Sequence, residues 1–366
     1  ALAQVAGLQT TTIAARLMGE WPTSGEWFMS LVSPATTDTD LSRPYPFYLA
    51  APLQDDPATL GDVGQWLVEW KWDGIRAQLV RRAGNVHLWS RGEELITHRF
   101  PEIVAAASRL PDGTVLDGEV LAFRDDRPLP FSALQQRIGR QKHVHQMARE
   151  VPVVFMTYDV IELAGRDLRD EPLGTRRAAL QQLLTSSGVL RLSPSIDAAS
   201  WEALAELRAT SRERNVEGLM LKRRDSTYGV GRKRGDWWKW KIEPHTIDAV
   251  LIYAQPGSGK RASLLTDYTF GLWHNGELVP IAKAYSGLSN EEIAEIDRWI
   301  RRHTRERFGP VRHVEPVQVF ELGFEGLAQS SRHRSGIAVR FPRMLRWRKD
   351  KPAAEADTLD TLRAML

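Results

Sequence analysis

At 366 residues, with 42% hydrophobic and 26% charged positions, the chain is too long for one ordinary domain and too apolar to be disordered. The absence of cysteine removes disulfides, thiolate zinc sites and cysteine nucleophiles together. No apolar run approaches the ~18 residues of a membrane span. The net charge is only +3, but Arg and Lys are clustered, which points to a polyanionic partner.

In chain order, residues 1–45 read as a helical remnant at Ile13–Met18 followed by a turn-rich linker from Pro34 to Pro46. The chain opens at Ala1 without a secretory pattern and is expected to be a trimmed fragment. From Trp66 the period becomes that of strands: Leu67–Arg81, Val86–Trp89 and Thr114–Phe123, with an antiparallel sheet as the simplest arrangement. Helices are predicted at Phe131–Ile138, Arg176–Leu184 and Trp201–Arg212, with strands at Val153–Leu163 and Val216–Lys222 between them. Beyond Pro244, short strands are predicted at Ala249–Tyr253, Asp267–Trp273, Val279–Ala284 and Val317–Phe324, with one helix at Glu291–His303. The mixture is α+β, ending in a small barrel with an inserted helix, and the boundary falls near Pro244.

Lys71 stands in Glu69-Trp70-Lys71-Trp72-Asp73-Gly74-Ile75-Arg76, at a strand end before an Asp-Gly turn. Such a lysine attacks phosphorus only when its neutral form is favoured, and burial or the cations Arg76, Lys239 and Lys241 would favour it. Taken alone, Lys-x-Asp-Gly is more often a surface lysine before a turn. Its company changes the balance: Ser90-Arg91-Gly92, Leu116-Asp117-Gly118-Glu119, Tyr158-Asp159-Val160-Ile161, Glu217-Gly218-Leu219-Met220-Leu221-Lys222, Trp237-Trp238-Lys239-Trp240-Lys241 and Arg340–Pro352 follow in order. Lys239 and Lys241 share one face of a strand by its period of two. The runs Lys222-Arg223-Arg224 and Arg232-Lys233-Arg234 suit phosphate-backbone contacts that position without reading sequence. Gly257-Ser258-Gly259-Lys260 lacks the first glycine and the Ser or Thr of a phosphate loop, so a turn is expected there. His143 and His145 are weak support for a metal site.

Together these motifs resemble the covalent nucleotidyltransferases: DNA ligases, RNA ligases and mRNA capping enzymes. The Arg340–Pro352 block resembles the ligases' last motif, and so points to an ATP-dependent DNA ligase. The resemblance implies an adenylation domain of antiparallel sheets with flanking helices over 46–243 and an OB-fold β-barrel over 244–366. It assigns Lys71 as the nucleophile that takes AMP from ATP as a covalent adduct. Glu69 is placed beside the adenine, Tyr158 stacked on it, and Glu119 on the ribose. Arg76 goes to the phosphate or ribose, Arg91 to the ribose and the 3′-OH side of the nick, and Lys239 and Lys241 to the α-phosphate. Arg348 and Lys351 are assigned to the pyrophosphate, and Glu217 to Mg²⁺. The implied partner is nicked double-stranded DNA, met by a cytoplasmic, nucleoid-associated monomer. Repair-protein partners are left open.

Several blocks are similar to a bacterial group carrying an N-terminal DNA-binding domain, of which residues 1–33 look like the last helices. The alternatives are an RNA ligase or capping-type enzyme, and an inactive nucleic-acid-binding relative. A ligase using NAD is disfavoured, since that family carries a four-cysteine zinc module.

Overall fold

The computed structural model describes residues 2–8, 12–13, 16–17, 22–34, 41–138, 143–185, 187–259 and 262–366. It forms two compact units, Ala1–Ile242 and Glu243–Leu366. Parts of the N-terminal helix, the linker, the segment after Ile138, and Lys260 and Arg261 fall outside the described residues.

The first unit is built on two sheets. The larger runs in the order Leu190–Leu192, Val153–Leu163, Thr114–Arg124, Ile75–Arg82, Asn85–Ser90. The smaller runs Ala51–Pro52, Trp237–Lys241, Val216–Arg223, Trp66–Trp72. The Leu67–Arg81 stretch is two strands that meet at the expected Asp73-Gly74 turn, and the two lie in different sheets. The reason is steric: a Cβ on Gly74 would lie 2.2 Å from the Val120 carbonyl oxygen, so only glycine lets the chain cross this close to the larger sheet. Gly74 needs no left-handed backbone; close approach alone selects it.

Alternation along Thr114–Arg124 sorts its side chains between two environments. Leu116, Val120 and Ala122 enter a core shared with Phe100, Ile103 and Leu180, from the helices that cover the sheet. Val115, Leu121 and Phe123 join two other apolar clusters, which also contain Trp237 and Trp72 of the smaller sheet. Asp117 and Glu119 stand between those clusters in the sequence, on the same side of the strand. Polar groups are thus confined between two apolar seals.

In the second unit the Val319–Phe324 strand pairs with the first half of the long His245–Pro256 strand. The Leu265–His274 and Val311–Val314 strands pair with its second half. Changing partners along one strand curls the sheet, and Ile247, Leu251, Phe270, Phe320 and Phe324 fill its interior. The helix Asn290–Arg302 starts with a capping box between Ser289 and Glu292 and buries Ile293, Ile296 and Ile300.

Candidate nucleotide site

Period two decides what the Trp66–Trp72 strand presents. Trp66, Val68 and Trp70 pack with the core of the smaller sheet, so Glu69 and Lys71 face the other way. There they line a cavity of about 150 Å³ with Arg76, Arg91, Glu119, Tyr158, Lys222 and Lys239.

Two β-bulges set the chemistry of this cavity. Val216 pairs with Trp72 and Leu219 with Trp70, so Glu217 and Gly218 together oppose Lys71. Gly218 has φ +134°, and a Cβ there would lie 2.3 Å from the Trp240 carbonyl oxygen, so this bulge requires glycine. On the larger sheet Asp117 pairs with Asp159 and Gly118 with Thr157, which leaves Tyr158 as the extra residue of the second bulge. Tyr158 donates from its hydroxyl to the Gly118 carbonyl at 3.3 Å.

Lys71 Nζ lies 2.5 Å from Glu217 Oε2, and Lys241 Nζ lies 3.3 Å from the same oxygen. Burial alone would lower the Lys71 pKa, but Glu217, Glu119 and Asp73 outweigh it and hold the amine above its usual value. This corrects the expectation of a neutral amine favoured by burial and neighbouring cations: carboxylates are its dominant neighbours. Burial would raise Glu217, yet Lys71 and Lys241 hold it down to about 2. Glu119 behaves oppositely: burial pushes it up to about 8 despite Lys71 and Arg76. Lys239 is lowered by burial and by the like charge of Lys71.

Several predicted residues carry partners that the sequence did not announce. The Glu69 carboxylate is buried between Lys222, at 2.7 Å, and Arg177, at 3.2 Å. Its two oxygens are therefore engaged within the protein, and its place in the cavity wall is beside Lys222. Lys222, expected in a surface basic run, is only 1% exposed, with Nζ 4.2 Å from the centre of the Tyr158 ring. Arg76 grips Asp117 through Nη2 at 2.7 Å and sits 5.8 Å from the Tyr158 ring centre. Arg91 is exposed at the end of a strand, and its backbone N–H donates to the Arg76 carbonyl.

Arg348 and Lys351 belong to the second unit, where they converge on one oxygen of Asp248 at 2.7 and 2.8 Å. Sequence reasoning missed Asp248, Asp117 as the partner of Arg76, and Lys222 as a cavity residue. The alternation of Lys222 with Met220 in its motif was the available signal for the last of these.

Residues 48–241 match the family model of the ATP dependent DNA ligase domain, and residues 261–351 that of the ATP dependent DNA ligase C terminal region. The chain belongs to the ATP-dependent DNA ligase family. A probable DNA ligase of Koribacter versatilis is 40% identical over 350 residues, covering 89% of this chain and 61% of that protein. A DNA ligase of Methanoculleus marisnigri is 34% identical over 306 residues, covering 83% of this chain and 55% of the other. This ligase-family chain thus spans about six-tenths of the first relative and just over half of the second. A solved Lig E DNA ligase superposes with TM-score 0.57 at 19% identity, over 83% of this chain and 99% of that one. At such identity the likeness shows the fold alone, an α+β nucleotidyltransferase unit followed by an OB-fold unit. Among the described residues of this ligase-family chain, no helix is long and apolar enough to cross a membrane.

Proposed function

We propose that this chain seals nicks in double-stranded DNA with ATP, through a covalent AMP adduct on Lys71. The observation that supports the reading most is the placement of Lys71. One primary amine lines a cavity with Arg76, Glu119 and Lys239, and its partner Glu217 also holds Lys241. In the first step Nζ bonds to the α-phosphorus, the bond from that phosphorus to the pyrophosphate oxygen breaks, and pyrophosphate leaves. The AMP then passes to the 5′-phosphate of a nick, and the 3′-OH displaces it.

Phosphoryl chemistry of this kind is mostly positioning and charge neutralisation. Lys239 and Lys241 are proposed to meet the α-phosphate, and Arg76 the phosphate or ribose. Glu119 is proposed on the ribose, and Arg91 toward the ribose and the 3′-OH side of the nick. Tyr158 and the buried Glu69–Lys222 pair would frame the adenine. Arg348 and Lys351 are assigned to the pyrophosphate.

Before Nζ can attack it must lose a proton, and Glu217, held at about 2, is too weak a base to take it. Glu217 is ionised and 15% exposed, and a carboxylate oxygen is the donor Mg²⁺ prefers. Among the described residues no three acidic, His or Cys side chains form a metal cage. That fits an ion bound by one or two carboxylates together with substrate phosphates. Mg²⁺ at Glu217 would supply positive charge that offsets the carboxylates and makes the neutral amine accessible.

The likeness to curated DNA ligases favours this reading over an RNA ligase, a capping-type enzyme or an inert binder. A cytoplasmic, nucleoid-associated monomer is the proposed setting. Labelled ATP and GTP, each followed by nicked DNA and nicked RNA, test the function. Transfer from ATP with sealing of DNA is expected; transfer from GTP, or sealing confined to RNA, would defeat it.

A further inference from the structure

Tyr228 interrupts the basic stretch between Arg224 and Arg232, where a solvated side chain would be unremarkable. Instead it is 5% exposed. Its hydroxyl donates to Asp117 Oδ2 at 2.6 Å. Asp117 is fully buried, and the same carboxylate grips Arg76 through Nε–Oδ1 at 3.2 Å and Nη2–Oδ2 at 2.7 Å. Oxygen Oδ2 therefore receives two donors, one from the cavity-lining arginine and one from the phenol.

The phenol is itself held from several directions. Its oxygen lies 3.4 Å from both the Tyr48 N–H and Gln78 Nε2, which donate to it. Its ring meets Tyr48 and Trp237 edge-on, with centroids 6.0 and 5.8 Å away. Its backbone N–H donates to the Arg169 carbonyl at 2.7 Å. Burial and Asp117 keep the hydroxyl protonated far above its usual range, so it remains a donor at any working pH.

We propose that Tyr228 is a positioning residue: through Asp117 it fixes the direction in which the Arg76 guanidinium enters the nucleotide cavity. The physical basis is rotational. A carboxylate held only by the arginine it pairs with can turn together with it, whereas a second donor from a separate segment, itself held by Tyr48, Gln78 and Trp237, fixes the carboxylate plane. The guanidinium, a planar fork, then inherits that orientation. The inference rests on the proposed role of Arg76 at the ATP phosphate or ribose.

The test is a double-mutant cycle in the full chain, reading lysine adenylylation over a range of ATP concentrations together with ATP binding by calorimetry. Y228F removes one hydroxyl and keeps the ring packing. Removing Arg76 outright would strand the buried Asp117 charge, so the second variant is R76K, which retains a cation but not the fork. Y228F is expected to lower kcat/KM for ATP roughly ten-fold, the scale of a hydrogen bond to a charged group. In the R76K background the same change is expected to have almost no further effect, because the geometry it protects is already lost.

Wild-type behaviour of Y228F would overturn the proposal. So would an equal fold loss in both backgrounds, because a merely structural role multiplies through the cycle. If the unmodified chain binds ATP without forming an adduct, the functional reading fails, and the cycle measured in ATP dissociation constants still decides the role of Tyr228.

Discussion

Lys71 stands opposite the β-bulge made by Glu217 and Gly218, and its Nζ lies 2.5 Å from Glu217 Oε2. The extra residue in the Val216–Arg223 strand aims a carboxylate at the amine of the neighbouring strand. Lys241, paired with Gly218 from the other side, reaches the same oxygen. Nucleophile, carboxylate and second lysine are therefore set by backbone register across three adjacent strands.

Because Glu217 raises the Lys71 pKa, E217Q should lower it. The check is the pH profile of amine labelling at Lys71, followed by peptide mapping without nucleotide or metal. The half-point is expected to move to lower pH in E217Q. An unmoved or upward-shifted profile would remove Glu217 as the group that keeps this amine charged.

Glu119 makes an opposite prediction for stability. Its folded pKa, about 8, lies above the ordinary glutamate value of 4.5, so the folded state binds the proton more tightly. The resulting stabilisation is present in full below about pH 4.5 and is lost as pH rises through 8. Urea unfolding of the wild type against E119Q, between pH 5 and 9, should show the wild type losing stability relative to the variant as pH increases. Parallel curves would contradict this.

Gly74→Ala should cost at least about 2 kcal/mol of stability, on the scale of overpacking a tight contact. Its Cβ would meet the Val120 carbonyl oxygen, which belongs to backbone and cannot swing aside. Chemical denaturation measures the loss. A variant as stable as the wild type would show that the crossing between the two sheets has slack.

Arg348 and Lys351 are expected to act on the triphosphate and not on the nick. R348A and K351A should each slow lysine adenylylation by roughly ten-fold or more, the scale of removing one charge-stabilising group. Both variants should still seal a nick that is already adenylylated. Equal losses in the two assays would assign these residues to folding or DNA binding.

What the sequence made legible was the local chemistry. Period two correctly put Lys239 and Lys241 on one strand, Trp237–Lys241, and the helical period found Phe131–Ile138 at its observed bounds. The Asp73-Gly74 turn was legible, but its carrying the chain from one sheet to another was not, because alternation continues on both sides of it and only the Val120 carbonyl, distant in sequence, makes the glycine necessary.

The bulges were hidden for a related reason. An extra residue in one strand is defined by its partner strand, as Tyr158 is by Asp117 and Gly118. The pairing of Lys71 with Glu217 was not foreseen, because only burial and the cations Arg76, Lys239 and Lys241 were weighed and register brings Glu217 in from far along the chain. The Tyr228–Asp117–Arg76 contact spans residues that no local pattern connects.

Peptide mapping of the purified chain after incubation with ATP and Mg²⁺ tests the central claim most directly. One added AMP, labile to acid, is expected on the peptide containing Lys71 and is expected to be absent from the Lys71→Ala variant. An adduct elsewhere, or none under conditions where ATP is shown to bind, would contradict it.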